Sequence, residues 1–113
     1  VFMNILNNAI FAVTDKVYEA PEKALIIMKT ELDDNNIHIH FKDNGVGMDE
    51  ATKNRMFDPF FTTKDVGEGT GLGMAIVYKI IEKHRGSLHV ESELNKGTEF
   101  IITLPLRQPN EFE

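Results

Sequence analysis

Apolar residues recur along this chain with two different periods, and the switches between those periods divide it into elements. From Val1 to Asp15, Phe2, Ile5, Leu6, Ala9, Ile10 and Val13 return at steps of three and four, which is one face of a helix. Val17 to Lys23, with Pro21, loses that rhythm and reads as a loop. Ala24 to Thr30 is a strand candidate. Asn36 to Asp43 is another, because Ile37, Ile39 and Phe41 alternate with His38, His40 and Lys42. Asp33-Asp34-Asn35-Asn36 between the two reads as a hairpin-type connection. Asp49 to Phe57 predicts a short helix, started by Asp49 or Met48, and Asp58 to Thr70 a loop that contains Pro59 and two glycines. Gly71 to His84 predicts a third helix with Leu72, Ala75, Ile76, Ile80 and Ile81 on its apolar side. Lys83, His84 and Arg85 suit its negative end, and Gly86 is expected to take the left-handed stop. Ser87 to Ser92 and Thr98 to Leu104 predict two further strands, joined through Asn95-Lys96-Gly97.

The order is therefore helix, two strands, helix, loop, helix, two strands. Hairpin-like pairs separated by helices predict an α+β fold: a two-layer α/β sandwich whose mixed, mostly antiparallel sheet is covered on one face by helices. A doubly wound parallel sheet is disfavoured, since two of the strand-to-strand links are too short for crossovers. The first helix starts in rhythm at Val1 with no capping residue ahead of it, so the sequence reads as a segment whose upstream part has been removed. Residues 1–105 form the expected domain, and 106–113 a polar tail.

The whole-chain quantities narrow the class. A length of 113 residues suits one domain, and 42% hydrophobic with 27% charged residues is a globular balance. A formal net charge of −6 argues against a nucleic-acid or anionic-membrane binder. The absence of cysteine excludes disulfides and thiolate metal sites. No apolar run approaches the roughly 20 residues of a membrane span, so no direct membrane contact is expected.

Four segments carry candidate chemistry. In Gly67-Glu68-Gly69-Thr70-Gly71-Leu72-Gly73 the glycines alternate and then a helix begins. Glycine lets backbone N–H groups approach an anion, and the helix N-terminus aims free N–H groups and a positive dipole end the same way. By itself such a run is more often a flexible loop. It is not a P-loop, because no Gly-Lys-Ser/Thr follows, nor a Rossmann turn, because no strand leads into it. Asp43-Asn44-Gly45-Val46-Gly47-Met48 ends a strand with a carboxylate able to accept from an exocyclic amine such as that of adenine; it is also a common type of Asn-Gly turn. Asn4 and Asn8 lie four apart on one side of a helix, and their amide oxygens suit Mg²⁺, although such asparagines are more often merely exposed. Phe57-Asp58-Pro59-Phe60-Phe61-Thr62-Thr63-Lys64 offers aromatic anchors for a lid and a lysine that can reach a phosphate, with Phe57 read as an ordinary core residue.

The order of these segments resembles the ATP-binding domain of sensor histidine kinases, of the GHKL superfamily. Asn4-Ile5-Leu6-Asn7-Asn8-Ala9 resembles its N box, Asp43-Asn44-Gly45-Val46-Gly47 its first glycine box and Phe57 to Lys64 its F box. Gly69-Thr70-Gly71-Leu72-Gly73-Met74-Ala75-Ile76-Val77 looks like the second glycine box, and Lys96-Gly97-Thr98-Glu99-Phe100 like the box on the closing hairpin. The resemblance runs from Asn4 to about Pro105. It implies a GHKL-type sandwich with ATP between helices and a lid. Asn8 would coordinate Mg²⁺ and Asn4 would lie near the phosphates. Asp43 would bind the adenine amine over Gly45 and Gly47, with Thr98 in support. Gly69, Thr70, Gly71, Leu72 and Gly73 would hold the phosphates, Met48 and Met56 would wall the base, and Thr62, Thr63 and Lys64 would lie in the nucleotide-facing lid. Two features depart from the pattern. Phe11 stands where many members carry a lysine or an acidic residue, and the strand and half-helix that usually precede the N box are absent, which leaves a sheet edge expected to be unpaired.

The resemblance also bears on the activity. The chaperone, gyrase and repair ATPases commonly place a water-activating glutamate four residues before the Mg²⁺-binding asparagine, where this chain has Asn4. A kinase, whose nucleophile is a histidine, needs no such base. The implied function is transfer of the γ-phosphoryl group of ATP to a histidine on a separate upstream dimerisation hairpin, with a response regulator as the indirect partner and a cytoplasmic location even if the parent is membrane-anchored. The alternatives are a nucleotide-binding regulatory module acting by protein contact and a GHKL-type ATPase. His38, His40, His84 and His89 lie outside any phosphoacceptor motif. The three strand histidines — His38, His40 and His89 — are expected to face solvent.

Overall fold

The computed structural model describes residues 2–14, 16–19, 22–58 and 73–106. Its elements are α1 (Phe2–Thr14), β1 (Ile26–Leu32), β2 (Asn36–Asp43), α2 (Glu50–Arg55), α3 (Gly73–Lys83), β3 (Ser87–Glu93) and β4 (Gly97–Pro105). The four strands form one sheet in the order β1-β2-β4-β3, and every pairing among the described residues is antiparallel.

Two pairings are local hairpins. In the first, the Asp33 carboxylate accepts the N–H groups of Asn35 (2.9 Å) and Asn36 (2.7 Å), a side-chain-closed turn that explains why the acidic-amide cluster breaks the strand here. In the second, Asn95 (φ 64°) and Gly97 (φ 127°) take the left-handed backbone that turns β3 into β4. The third pairing, β2 with β4, is non-local and carries the fold: Ile39 lies opposite Ile102, Phe41 opposite Phe100 and Asp43 opposite Thr98.

Alternation along the strands decides what is buried. Ile39, Phe41, Phe100 and Ile102 share one face and meet Ile5 of α1 with Met74, Val77 and Ile81 of α3, together with Met56, in a single core. Burying each of the large ones contributes roughly 1.5–3 kcal/mol. α1 crosses β2 and β4 and α3 lies against β3, so the helices form one layer over the sheet. The other face carries His38, His40, Lys42 and Glu99 and has no helix over it among the described residues. There His38 and His40 are half-buried rather than fully solvated: His38 touches Thr103 (3.0 Å) and Asp33 (2.8 Å), and His40 lies 3.4 Å from Glu99. His89 is exposed, as the alternation predicts.

Helix ends follow their local chemistry, with one correction. Asp49 caps α2, accepting the Thr52 N–H at 2.7 Å. Beyond α3 the left-handed residue is Arg85 (φ 59°), not the expected Gly86. The Gly86 N–H reaches back to the Ile81 carbonyl (2.9 Å) and the Arg85 N–H to the Glu82 carbonyl (3.0 Å), the paired bonds of a Schellman stop. Gly86 is needed for space instead: a Cβ there would stand 2.6 Å from both the Leu104 side chain and the Thr103 carbonyl. No helix among the described residues is long and apolar enough to cross a membrane.

Candidate nucleotide site

The site is built from the end of the sheet at which β2 finishes and β4 begins. Because Asp43, Thr98 and Ser92 are directly opposite one another on β2, β4 and β3, they form one polar row on the helix-covered face, next to the apolar row of Phe41, Phe100 and Val90. Asp43 is only 4% exposed and Thr98 7%. Burial pushes the Asp43 carboxyl above its ordinary value; the N–H groups of Gly45 and Thr98 and the charge of Lys16 oppose this without cancelling it. The Gly45 bond is 2.9 Å.

Ser92 ties the row to the loop after β2. Its hydroxyl donates to the Gly97 carbonyl (3.0 Å), which leaves its lone pairs to the Met48 N–H (2.8 Å) and the Thr98 hydroxyl (2.8 Å). Sequence reasoning missed Ser92. The signal was the register: Leu88, Val90 and Ser92 are the inward positions of β3, and a serine there must find partners.

Gly45 and Gly47 are required by packing. A Cβ on Gly45 would stand 2.5–2.7 Å from Ala12 at the end of α1, and Gly47, at φ 68°, would drive one into the Glu93 carbonyl. The Val46 N–H bonds the Ala12 carbonyl (3.2 Å), and the Asn95 N–H bonds the Val46 carbonyl (2.7 Å), so loop 43–48 is pinned between α1 and the β3–β4 turn.

The helices supply the opposite side. Asn4 and Asn8 are half-buried on α1, beside the buried Ile5 and Ala9. The Asn4 amide donates to the Gly73 carbonyl at the head of α3 (3.4 Å), which brings the N-box segment to the end of the second glycine run. Met56 is buried in the core and Met48 packs partly against it. Phe57 also packs there, 5.3 Å from the Tyr78 ring. Thus Asn4, Asn8, Asp43, Gly45, Gly47, Met48, Met56, Gly73 and Thr98 are placed around α1, the sheet end and the start of α3. Thr62, Thr63, Lys64, Gly69, Thr70, Gly71 and Leu72 lie outside the described residues. Chemically, the described part offers a buried acceptor for a donor-bearing ring, thioether walls, and amides beside a helix N-terminus.

Residues 1–108 match the family model for histidine kinase-, DNA gyrase B- and HSP90-like ATPases. Sporulation kinase E of Bacillus subtilis is 46% identical over 108 residues, covering 96% of this chain and 14% of that protein. The signal transduction histidine-protein kinase AtoS of Escherichia coli is 37% identical over 106 residues, 94% of this chain and 16% of its own length. The chain thus spans about a sixth or less of these curated relatives. Among solved structures, the catalytic domain of histidine kinase ThkA superposes with a TM-score of 0.71 at 33% identity, over 91% of this chain and 63% of that one. A mycobacterial sensor histidine kinase, MprB, gives 0.73 at 27% identity, over 95% and 68%. The chain belongs to the histidine kinase-, DNA gyrase B- and HSP90-like ATPase family, and within it to the ATP-binding catalytic domains of sensor histidine kinases.

Proposed function

From that membership we propose that the domain binds Mg–ATP at the end of the sheet and passes its γ-phosphoryl group to a histidine on a separate helical hairpin of the parent protein. The P–O bond to ADP breaks, a P–N bond to the imidazole forms, and ADP leaves. The observation that carries the reading is the buried Asp43 carboxyl at the end of β2. A charge held dry by two backbone N–H groups and pushed toward protonation by its burial costs the free domain stability; a ligand donor at that position is a physical reason to keep it.

In this reading Asp43 accepts from the adenine amine, Gly45 and Gly47 let the chain lie close beneath the base, and Thr98 and Ser92 hold the acceptor in place. Met48 and Met56 wall the base. Asn4 and Gly73 would contact the phosphates together with Gly69, Thr70, Gly71 and Leu72, and Thr62, Thr63 and Lys64 would serve as the nucleotide-facing lid. The Asn8 amide oxygen would hold Mg²⁺, which would supply neutralisation of the phosphate charge. The chain's own task is positioning, because phosphoryl transfer asks for alignment and charge stabilisation rather than covalent chemistry. Asn4 stands where the ATPases of the superfamily commonly carry a glutamate, which favours the kinase over water activation. Cytoplasmic ATP and a response regulator complete the setting.

The test mixes the chain with the histidine hairpin of its own parent and γ-labelled ATP. Acid-labile label on the hairpin is the expected result. ATP binding without label indicates a binding module. Phosphate release without label, lost in Asn8→Ala, indicates an ATPase.

A further inference from the structure

The outer edge of β1 is open. Among the described residues no strand pairs with it, and it is exposed from Ile27 to Leu32. The bonds at the two ends of its hairpin fix which backbone groups point outward. The Leu25 carbonyl accepts the Asn44 N–H (3.2 Å), and the Asp33 N–H donates to the Asn36 carbonyl (3.0 Å), so the odd-numbered residues of β1 face β2. The N–H and C=O groups of Ile26, Met28, Thr30 and Leu32 therefore point away from the sheet. Met28 and Leu32 are 60% and 71% exposed, on the side that the helices cover elsewhere. Lys29 and Glu31 lie on the other side, 2.7 Å apart. The strand has no proline and no break in its register with β2, so apart from these two charges it lacks the devices that usually blunt a sheet edge.

We propose that this edge is a self-association surface: β1 pairs antiparallel with β1 of a second copy of the chain about a two-fold axis at Thr30, joining two sheets into one. The strand is its own complement in that register. Met28 stands opposite Leu32 of the second copy, and Lys29 opposite Glu31 of the second copy. Met28, Thr30 and Leu32 supply the backbone bonds. Lys29 and Glu31 fall at the non-hydrogen-bonded positions, where side chains of paired strands come closest, so each charge meets its opposite across the axis. Moving the axis to Lys29 or to Glu31 sets like charges against each other, which disfavours those registers. On the other face the pairing takes Met28 and Leu32 out of water together. A second copy is favoured over an unrelated strand because the charge pattern that fits this edge is the edge itself. The pairing leaves the Asp43 end of each sheet open: Asp43 lies beside Ile26, and antiparallel pairing sends the two Ile26 ends in opposite directions.

The experiment follows the 113-residue chain by analytical ultracentrifugation. The concentrations run from about 10 µM to about 1 mM, because a single strand pair belongs to the small, weak class of interfaces. The expected result is a reversible monomer–dimer equilibrium. Thr30→Pro removes the central outward N–H without touching a bond to β2, and should weaken the dimer by about tenfold or more while circular dichroism keeps its native shape. Lys29→Glu and Glu31→Lys each set like charges against one another, so each alone should be monomeric. An equimolar mixture of those two variants should associate again. Thr30→Cys gives a second readout, since the chain has no cysteine of its own. A hydrogen-bonded antiparallel pair holds its Cα atoms about 5.5 Å apart, within disulfide reach, so this variant should cross-link to itself under mild oxidation and Met28→Cys should not. A chain that stays monomeric throughout overturns the proposal, and so does a dimer that survives Thr30→Pro. If Thr30→Pro does not fold, the charge exchanges decide: a dimer that neither one disturbs, or a mixture that fails to associate, refutes the two-fold pairing.

Discussion

Replacing Asp43 by asparagine tests the base pocket, because its two consequences have opposite signs. The amide oxygen can keep the Gly45 N–H bond, so the loop retains its closure. The other oxygen becomes an NH₂ group that meets the ring amine donor to donor. Losing a hydrogen bond to a charged acceptor costs about 1.5–3 kcal/mol, roughly 10- to 150-fold in Kd. The nucleotide-free domain moves the other way. Asp43 has a raised carboxyl pKa in the folded state, from burial first. Its contribution to stability is therefore complete below the ordinary aspartate value and is lost as pH rises through the raised one. At neutral pH the buried charge is a cost that asparagine removes, so the variant melts at the same temperature or higher. Calorimetric titration with Mg–ATP and a thermal scan of the free chain read the two effects. The unaltered chain should also lose affinity as acid protonates Asp43, and Asp43→Asn should lack that pH dependence. Unchanged affinity refutes the pocket; lost affinity accompanied by a lower melting temperature would mean that Asp43 is a structural group only.

Three further substitutions separate structural from ligand roles. Ser92→Ala leaves the Met48 N–H without its acceptor and should cost about 1–3 kcal/mol in urea unfolding, with a smaller loss of affinity through the Asp43 row. Gly97→Ala forces a Cβ toward the Asp43 carbonyl at φ 127° and should lower both melting temperature and affinity, with strain alone worth about 1–3 kcal/mol. Gly73→Ala meets nothing closer than Asn4 at 3.8 Å and improves helix propensity by up to about 1 kcal/mol, so it should keep or raise stability; a fall in ATP affinity measured alongside would show that this glycine serves the phosphates.

The contrast between these glycines shows how far the amino-acid pattern reaches. Period-three-and-four and period-two stretches identify α1, α3, β2, β3 and β4 to within about two residues, because the residues that decide them are neighbours in sequence. The same holds for the Asp49 cap and for the turns at Asp33 and Asn95. The order of boxes also pointed to the family. At the end of α3, local reasoning chose Gly86 for the left-handed position, but the space beside Leu104 and Thr103 requires a glycine there, and Arg85 takes the turn instead. Periodicity does not show that β2 pairs with β4 across two helices and β3. That register sets Asp43 against Thr98 and Ser92 and makes a common polar residue the keystone of the row. Nor does it show that Lys16 reaches two carbonyls from distant loops. Sequence alone determined which residues could serve a nucleotide; tertiary structure decided which of them are dry, and burial is what raises the carboxyl pKa of the aspartate at the end of β2.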